Sequence, residues 1–356
     1  MKITKRILLL LSVTLLLIII INYPKLNIIS GYAAKNTSSS VFVANRTVAF
    51  TDATDNNFSP INLASTAISL ENNFASASTL GLLTRKAVYR NGLGSVLITK
   101  GYDANKKELI PKRYIKNTSL AYPFGNKTQN DTLFNTINYE KLESAVSSIF
   151  ENSHQTRAVL VLYKNQLIAE RYAKGFTKES RILGWSMTKS ILSTVFGIMQ
   201  YQGKLSVQDR APILEWENDD RKKITLHNLL QMNSGLAWDE NYEKISDVTK
   251  MLFLEDDMTK MQQKQQLVDS PNFSWNYSSG TSNLLSGILR KKLGNQQEYL
   301  DYWYRELIDK IGMNSMIVET DVKGHYVASS YAWATARDWA KFGLLYLHKG
   351  NWNGTQ

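Results

Sequence analysis

The chain has 356 residues, 43% of them hydrophobic and 21% charged, with no cysteine and a formal net charge of +11. That balance excludes a wholly disordered, collagen-like or multi-span membrane protein, and leaves one large domain or two ordinary ones. The missing cysteine excludes disulfides, thiolate metal sites, iron–sulfur clusters and a thiol nucleophile.

Lys2, Lys5 and Arg6 precede an uncharged, Leu/Ile-rich run from Ile7 to Ile21 in which only Ser12 and Thr14 are polar. A positive start followed by an apolar core is the pattern of an export signal. The run is short for a spanning helix, which needs about 20 residues. A small-x-small pattern stands at Gly31–Tyr32–Ala33, ten residues past the run and beyond Pro24 and Lys25. Residues 1–34 are therefore expected to be an export signal or a retained membrane anchor, with the rest of the chain outside the cytoplasm.

Residues 35–80 are rich in Asn, Ser, Thr and Ala. They read as a linker with one short strand at Val41–Ala44 and weak helical character over Ile61–Phe74. Lys86 to Thr99 gives strand, Asn91–Gly92 turn and strand, a hairpin signal. Residues 101–136 are loop-like. Tyr139–Asn152 is predicted to be a helix with Leu142, Val146, Ile149 and Phe150 on one face. Two strands around Lys164–Asn165–Gln166 fill residues 158–172. From Ser186 to Gly350 the pattern is mostly helical, with no comparable strand pair. Ile224–Leu236 reads as a short helix ended by Gly235 and carrying His227 as a structural histidine. His154, His227, His325 and His348 show no ligand spacing, so no metal or other cofactor is expected. No Lys/Arg block is interleaved with aromatics, so nucleic acid is not an expected partner.

The chain's single S-x-x-K is Ser186-Met-Thr-Lys189. Behind it lies a helix with Thr188, Leu192, Val195, Phe196 and Met199 on its apolar face. Ser186 sits at the helix start, where backbone N–H groups point outward, and Lys189 shares its face. A serine hydroxyl is a poor nucleophile until a base takes its proton. A lysine serves only when neutral, and moving its pKa from about 10.4 to near 7 requires about 4–5 kcal/mol of desolvation and charge repulsion. The same residues also suit a helix-capping serine beside a solvated lysine. A second block, Tyr277-Ser-Ser-Gly280, turns into an apolar helix at Leu284, Leu285, Ile288 and Leu289. A phenol beside a lysine can relay a proton, and a buried tyrosine with a satisfied hydroxyl fits the block equally.

Taken together, Trp185-Ser-Met-Thr-Lys-Ser190, Leu229-Leu-Gln-Met-Asn-Ser-Gly-Leu236, Tyr277-Ser-Ser-Gly-Thr-Ser-Asn-Leu-Leu285 and Ser329–Gly343 resemble the β-lactamase and penicillin-binding-protein superfamily. They look most like the class C β-lactamase-like serine hydrolases, which include esterases and 6-aminohexanoate-dimer hydrolase. The resemblance implies an α/β (α+β type) fold: an antiparallel sheet flanked by helices, plus a helical subdomain, with the active site between subdomains. It implies Ser186 as the acylated nucleophile, Lys189 as its base and Tyr277 as the residue that helps activate the serine and protonates the leaving group. The second motif is usually Tyr-x-Asn. Here Ser279 takes the Asn position as a substrate-binding residue, which suits an ester or amide better than a β-lactam. The family's third motif, a Lys/His-x-Gly triplet on a late β-strand, is not found after Tyr277, so the C-terminal strands are expected to be missing.

The expected organisation is a signal or anchor over 1–34, a linker or accessory region over 35–135, and a hydrolase domain over 136–356. The expected activity is cleavage of a small-molecule ester, amide or peptide through an acyl-enzyme on Ser186, in the bacterial cell envelope or secreted. The alternatives are a penicillin-binding DD-peptidase-like protein and a catalytically silent binder of a wall peptide or partner. Residues 7–21 are the expected point of any membrane anchoring.

Overall fold

Helix α1 runs from Lys2 to Phe42, through the apolar run and well past it. The computed structural model describes residues 2–115, 118–151 and 155–356, so the readings placed on Asn152 and His154 lie outside the described residues. After α1 come helix α2 (Val48–Ala53) and strands β1 (Ala64–Ser69), β2 (Phe74–Thr79), β3 (Leu83–Arg90) and β4 (Gly94–Leu97). Helix α3 (Tyr139–Phe150) and strands β5 (Ala158–Tyr163), β6 (Gln166–Tyr172) and β7 (Arg181–Leu183) lead to helix α4 (Met187–Tyr201). Helices α5 (Leu226–Leu230), α6 (Asp247–Leu254), α7 (Ser279–Leu293) and α8 (Gln296–Trp303) follow. Strands β8 (Ile317–Val318) and β9 (Ala332–Thr335) and helix α9 (Ala336–Leu347) close the order. The chain divides into two units. The first holds Met1–Lys106, Arg210–Leu285 and Thr320–His325; the second holds Lys107–Asp209, Ser286–Glu319 and Tyr326–Gln356.

In the first unit β1, β2, β3 and β4 form one antiparallel sheet in sequence order. The Asn91–Gly92 hairpin is present, with Arg90 opposite Gly94 and Ala87 opposite Leu97. The linker reading of residues 35–80 is corrected. Residues 35–42 continue α1, no strand forms at Val41–Ala44, and Ile61–Phe74 gives one 3-10 turn and then strand. The reason is a packing made of small side chains. Ala75, Ala77 and Thr79 alternate along β2 as buried residues, and Ser30, Ala33, Ala34, Thr37 and Ser38 are buried on α1. Ser30 Oγ lies 2.6 Å from Thr79 Oγ1 and donates to the Leu83 carbonyl, while Ser38 Oγ donates to Ser95 Oγ at 2.8 Å. The buried hydroxyls of Ser30 and Ser38 are tolerated because each has a partner. A composition poor in large apolar residues therefore still builds a core, one in which a helix lies close on a sheet.

The same unit holds the block with His227. Helix α5 ends at Leu230, earlier than the expected stop at Gly235. Gly235 lies at φ +77° in the following turn, where a Cβ would come within 2.0 Å of the Asp269 carbonyl oxygen.

In the second unit β5 and β6 form the expected hairpin, Ala158 opposite Tyr172, with Lys164 and Asn165 both at positive φ. A short three-stranded sheet has the order β7-β9-β8; after Ser186 its one pairing, β8 with β9, joins only Ile317 to Trp333 and Val318 to Ala332, well short of the hairpin over 158–172. Thr188, Leu192, Val195, Phe196 and Met199 of α4 are all buried, as its apolar face requires. Burying a side chain such as Phe196 or Met199 stabilises the fold by about 1.5–3 kcal/mol. Tyr299, Tyr302, Trp303, Tyr304, Tyr326 and Trp333 complete this core.

Candidate active site

Strand β7 pairs along β9 and hands the chain to Gly184, whose N–H donates to the Ala332 carbonyl at 2.8 Å. Trp339 packs so closely here that a Cβ on Gly184 would lie 2.2 Å from its ring. Trp185 then takes φ +43°, a left-handed conformation that a bulky residue adopts only where its surroundings force it. Ser186 follows with helical angles and opens α4. Thr188 locks this turn: its Oγ1 donates to the Trp185 carbonyl at 2.7 Å and accepts the Ala332 N–H at 3.1 Å. The tight turn puts the serine side chain at an exposed helix start, on rigid neighbours.

Gly184→Ala tests that rigidity. The ring of Trp339 or the turn itself must shift, and overpacking of this kind costs about 1–3 kcal/mol. A lowered denaturant midpoint with a misplaced Ser186 is the expected result. A variant of wild-type stability would show that the turn has slack.

Lys189 Nζ donates to Ser186 Oγ at 3.1 Å and to the Ser329 carbonyl at 2.8 Å. The Ser186 hydroxyl makes no capping bond to α4. The serine and lysine side chains are thus in contact, and the serine hydroxyl is not spent on a capping bond. Ser329 enters the site through its backbone oxygen, which no residue-type pattern could have marked. The carbonyl holds the amine in line with the hydroxyl.

Tyr277 and Ser279 belong to the first unit. Asn276 N–H donates to the Met232 carbonyl at 2.9 Å, so the loop after α5 steadies the segment before α7. Ser278 Oγ accepts the Thr281 N–H at 2.9 Å and starts the helix. Tyr277 is half-buried, its ring 6.1 Å from that of Trp275. Ser279 is fully buried, and Glu240 receives both its N–H, at 2.9 Å, and its hydroxyl. Glu240 also accepts from Trp238 Nε1 and, at 2.9 Å, from the Tyr242 hydroxyl. Desolvation first and the Glu240 carboxylate next push the Tyr242 phenol above its ordinary range. Glu240 was not marked by the sequence, because the group it serves lies 39 positions away.

Four triplets of the Lys/His-x-Gly form occur after Tyr277 and none lies on a strand: Lys310-Ile-Gly312 lies in a turn and Lys341-Phe-Gly343 within α9. Lys292-Leu-Gly294 ends α7, and His348-Lys-Gly350 follows α9, with His348 Nε2 2.7 Å from Asn165 Oδ1. Asp257, Asp321 and His325 form the one group of three metal-ligating side chains found among the described residues, their ligand atoms within 4.8 Å of one another. Sequence spacing had not joined them. Both carboxylates already receive local donors: Asp321 the His325 and Met258 N–H groups, Asp257 the Thr259 N–H and hydroxyl.

The model of the family described as Beta-lactamase matches residues 146–355. Among solved structures, a protein described as a 6-aminohexanoate-dimer hydrolase from Bacillus anthracis aligns with a TM-score of 0.52 at 23% identity, over 60% of this chain and 58% of its own. One described as a β-lactamase from Bacteroides dorei aligns with a TM-score of 0.50 at 18% identity, over 61% of this chain and 65% of its own. The chain thus spans less than two thirds of either. No curated protein matches. At these identities the two structures speak for the fold.

Proposed function

The chain belongs to the beta-lactamase family, with its β-lactamase/transpeptidase-like fold, and from that premise we propose that it is a serine hydrolase cleaving an ester or amide through an acyl-enzyme on Ser186. The observation that carries the reading is the 3.1 Å contact between Lys189 Nζ and Ser186 Oγ, with the amine steadied by the Ser329 carbonyl. In the first step Ser186 Oγ bonds to the substrate carbonyl carbon, and its proton passes to a neutral Lys189. The Ser186 N–H, at the helix start, is the first donor to the resulting oxyanion. The carbonyl–leaving-group bond then breaks and the leaving group takes up a proton. Tyr277 is proposed for that relay on its motif's resemblance. Water releases the acyl group by the same route in reverse.

Labelling with a fluorophosphonate probe tests the reading. An adduct on Ser186, absent from Ser186→Ala, is expected. Equal labelling of both proteins, or no adduct at all, would remove the hydrolase reading and leave the silent binder. Rapid acylation by a fluorescent penicillin would move it to the DD-peptidase-like alternative.

A further inference from the structure

Helix α1 makes two incompatible demands on a cleaved export signal. Its second half is structural. Gly31 and Ala33, the one small-x-small pattern suited to cleavage, are buried in the helix against the first unit's sheet. Gly31 packs beside Phe253, where an added Cβ would stand 3.4 Å from the Phe253 Cβ, at van der Waals contact. Upstream of that pattern, Ser30 Oγ holds Thr79 and Leu83, and Asn27 accepts from Arg85. Cutting at residues 31–33 would delete groups that the sheet is built around. Between Ile21 and Lys25 there is no small residue to serve a cut that spares them.

The first half is the reverse. Eleven large apolar side chains between Ile7 and Ile20 are exposed, from 44% to 66%. They are nearly consecutive, so they cover every face of the helix. A protein groove or a second helix covers one face; a helix apolar all round matches a bilayer. The polar side chains suit that setting: Ser12 Oγ donates to the Leu8 carbonyl at 2.9 Å and Asn22 Nδ2 to the Ile18 carbonyl at 2.8 Å. Lys5 and Arg6 before the run and Lys25 after it, with no acid among the first 35 residues, match anionic headgroups.

Length is the remaining question. Among the described residues no single helix is long and apolar enough to cross a membrane, but Lys5–Ile20 and Asn22–Phe42 pass together as a pair bent by 45°. The bend has a cause: Pro24 has no N–H to give the Ile20 carbonyl. From Ile7 to Tyr23 the helix covers about 25 Å at 1.5 Å per residue, against roughly 30 Å of hydrocarbon. Local thinning of the bilayer and snorkelling of Lys5, Arg6 and Lys25 make up the difference.

We propose that α1 is a single uncleaved element whose first half lies in a lipid bilayer and whose second half is the core helix of the sheet unit. The proposal stands independently of the hydrolase reading. Full-length protein carrying a C-terminal tag, expressed in a bacterium, tests it by membrane fractionation and intact-mass spectrometry. The expected result is a chain that keeps its peptides upstream of Gly31, resists salt and alkaline washing and is released by detergent. A mature chain beginning anywhere between residues 21 and 34 overturns it. So does a full-length chain that is soluble without detergent, as a self-associated form would be. Leu10→Arg with Leu17→Arg provides the second arm. Both positions are exposed, so the variant is expected to fold and to lose at least tenfold of its membrane-bound share. Unchanged membrane retention of that variant also overturns the proposal.

Discussion

Lys189→Ala is expected to slow acylation of Ser186 by about 10²–10⁴-fold, the usual contribution of a positioned general base. Bonds to Ser186 Oγ and to the Ser329 carbonyl help fix the amine, and alanine removes them. The loss should lie in the chemical step, so kcat falls while KM for a small ester changes little. Lys189→Arg is not a rescue. A guanidinium stays protonated at any working pH and cannot accept the serine proton. On the proposed mechanism serine and lysine act as one unit, so the Ser186→Ala, Lys189→Ala double variant should be no slower than Ser186→Ala alone. Turnover of a p-nitrophenyl ester by the alanine variant within threefold of wild type would take Lys189 out of the mechanism.

What was legible in the sequence was local. Ser186 and Lys189 meet across one helical turn, so their spacing alone brings them within reach. The apolar face of α4 repeats at helical period, and all five residues named for it are buried. The Asn91–Gly92 and Lys164–Asn165 turns announce their hairpins through Gly92 and Asn165, which tolerate the positive φ they adopt. Illegible were the features made by distant partners or by small side chains. The buried half of α1 has Ser, Thr, Ala and Gly where hydrophobic periodicity looks for Leu and Val, so it read as linker. Strand β2, Phe-Ala-Ser-Ala-Ser-Thr, alternates by burial and hardly at all by hydrophobicity. Its partner strand and helix decide its structure, and neither is visible in a local window. Ser279 was legible as a position in a motif, but not its burial against Glu240. The role of the Ser329 carbonyl lies outside any reading by residue type.

Glu240 is where the second large effect should appear. Its carboxylate takes four donors: Ser279 N–H, Ser279 hydroxyl, Trp238 Nε1 and the Tyr242 hydroxyl. Alanine would take from the fully buried Ser279 the carboxylate that accepts both its N–H and its hydroxyl. A buried donor left unmet costs about 1–3 kcal/mol, so Glu240→Ala should destabilise the protein by roughly 3 kcal/mol. Glu240→Gln keeps one acceptor oxygen and turns the other position into a donor that faces donors, so it should lose about half as much. The start of α7 is one residue from Tyr277, and release of Ser279 lets the tyrosine drift. Glu240→Ala should therefore also lower kcat more than KM changes, although Glu240 touches none of the reacting atoms. A purely structural glutamate would lower stability and leave kcat of the folded fraction intact. Measuring the denaturant midpoint and the labelling rate of Ser186 on the same folded samples separates the two, and an alanine variant with wild-type values of both would show that the carboxylate does not hold the helix start.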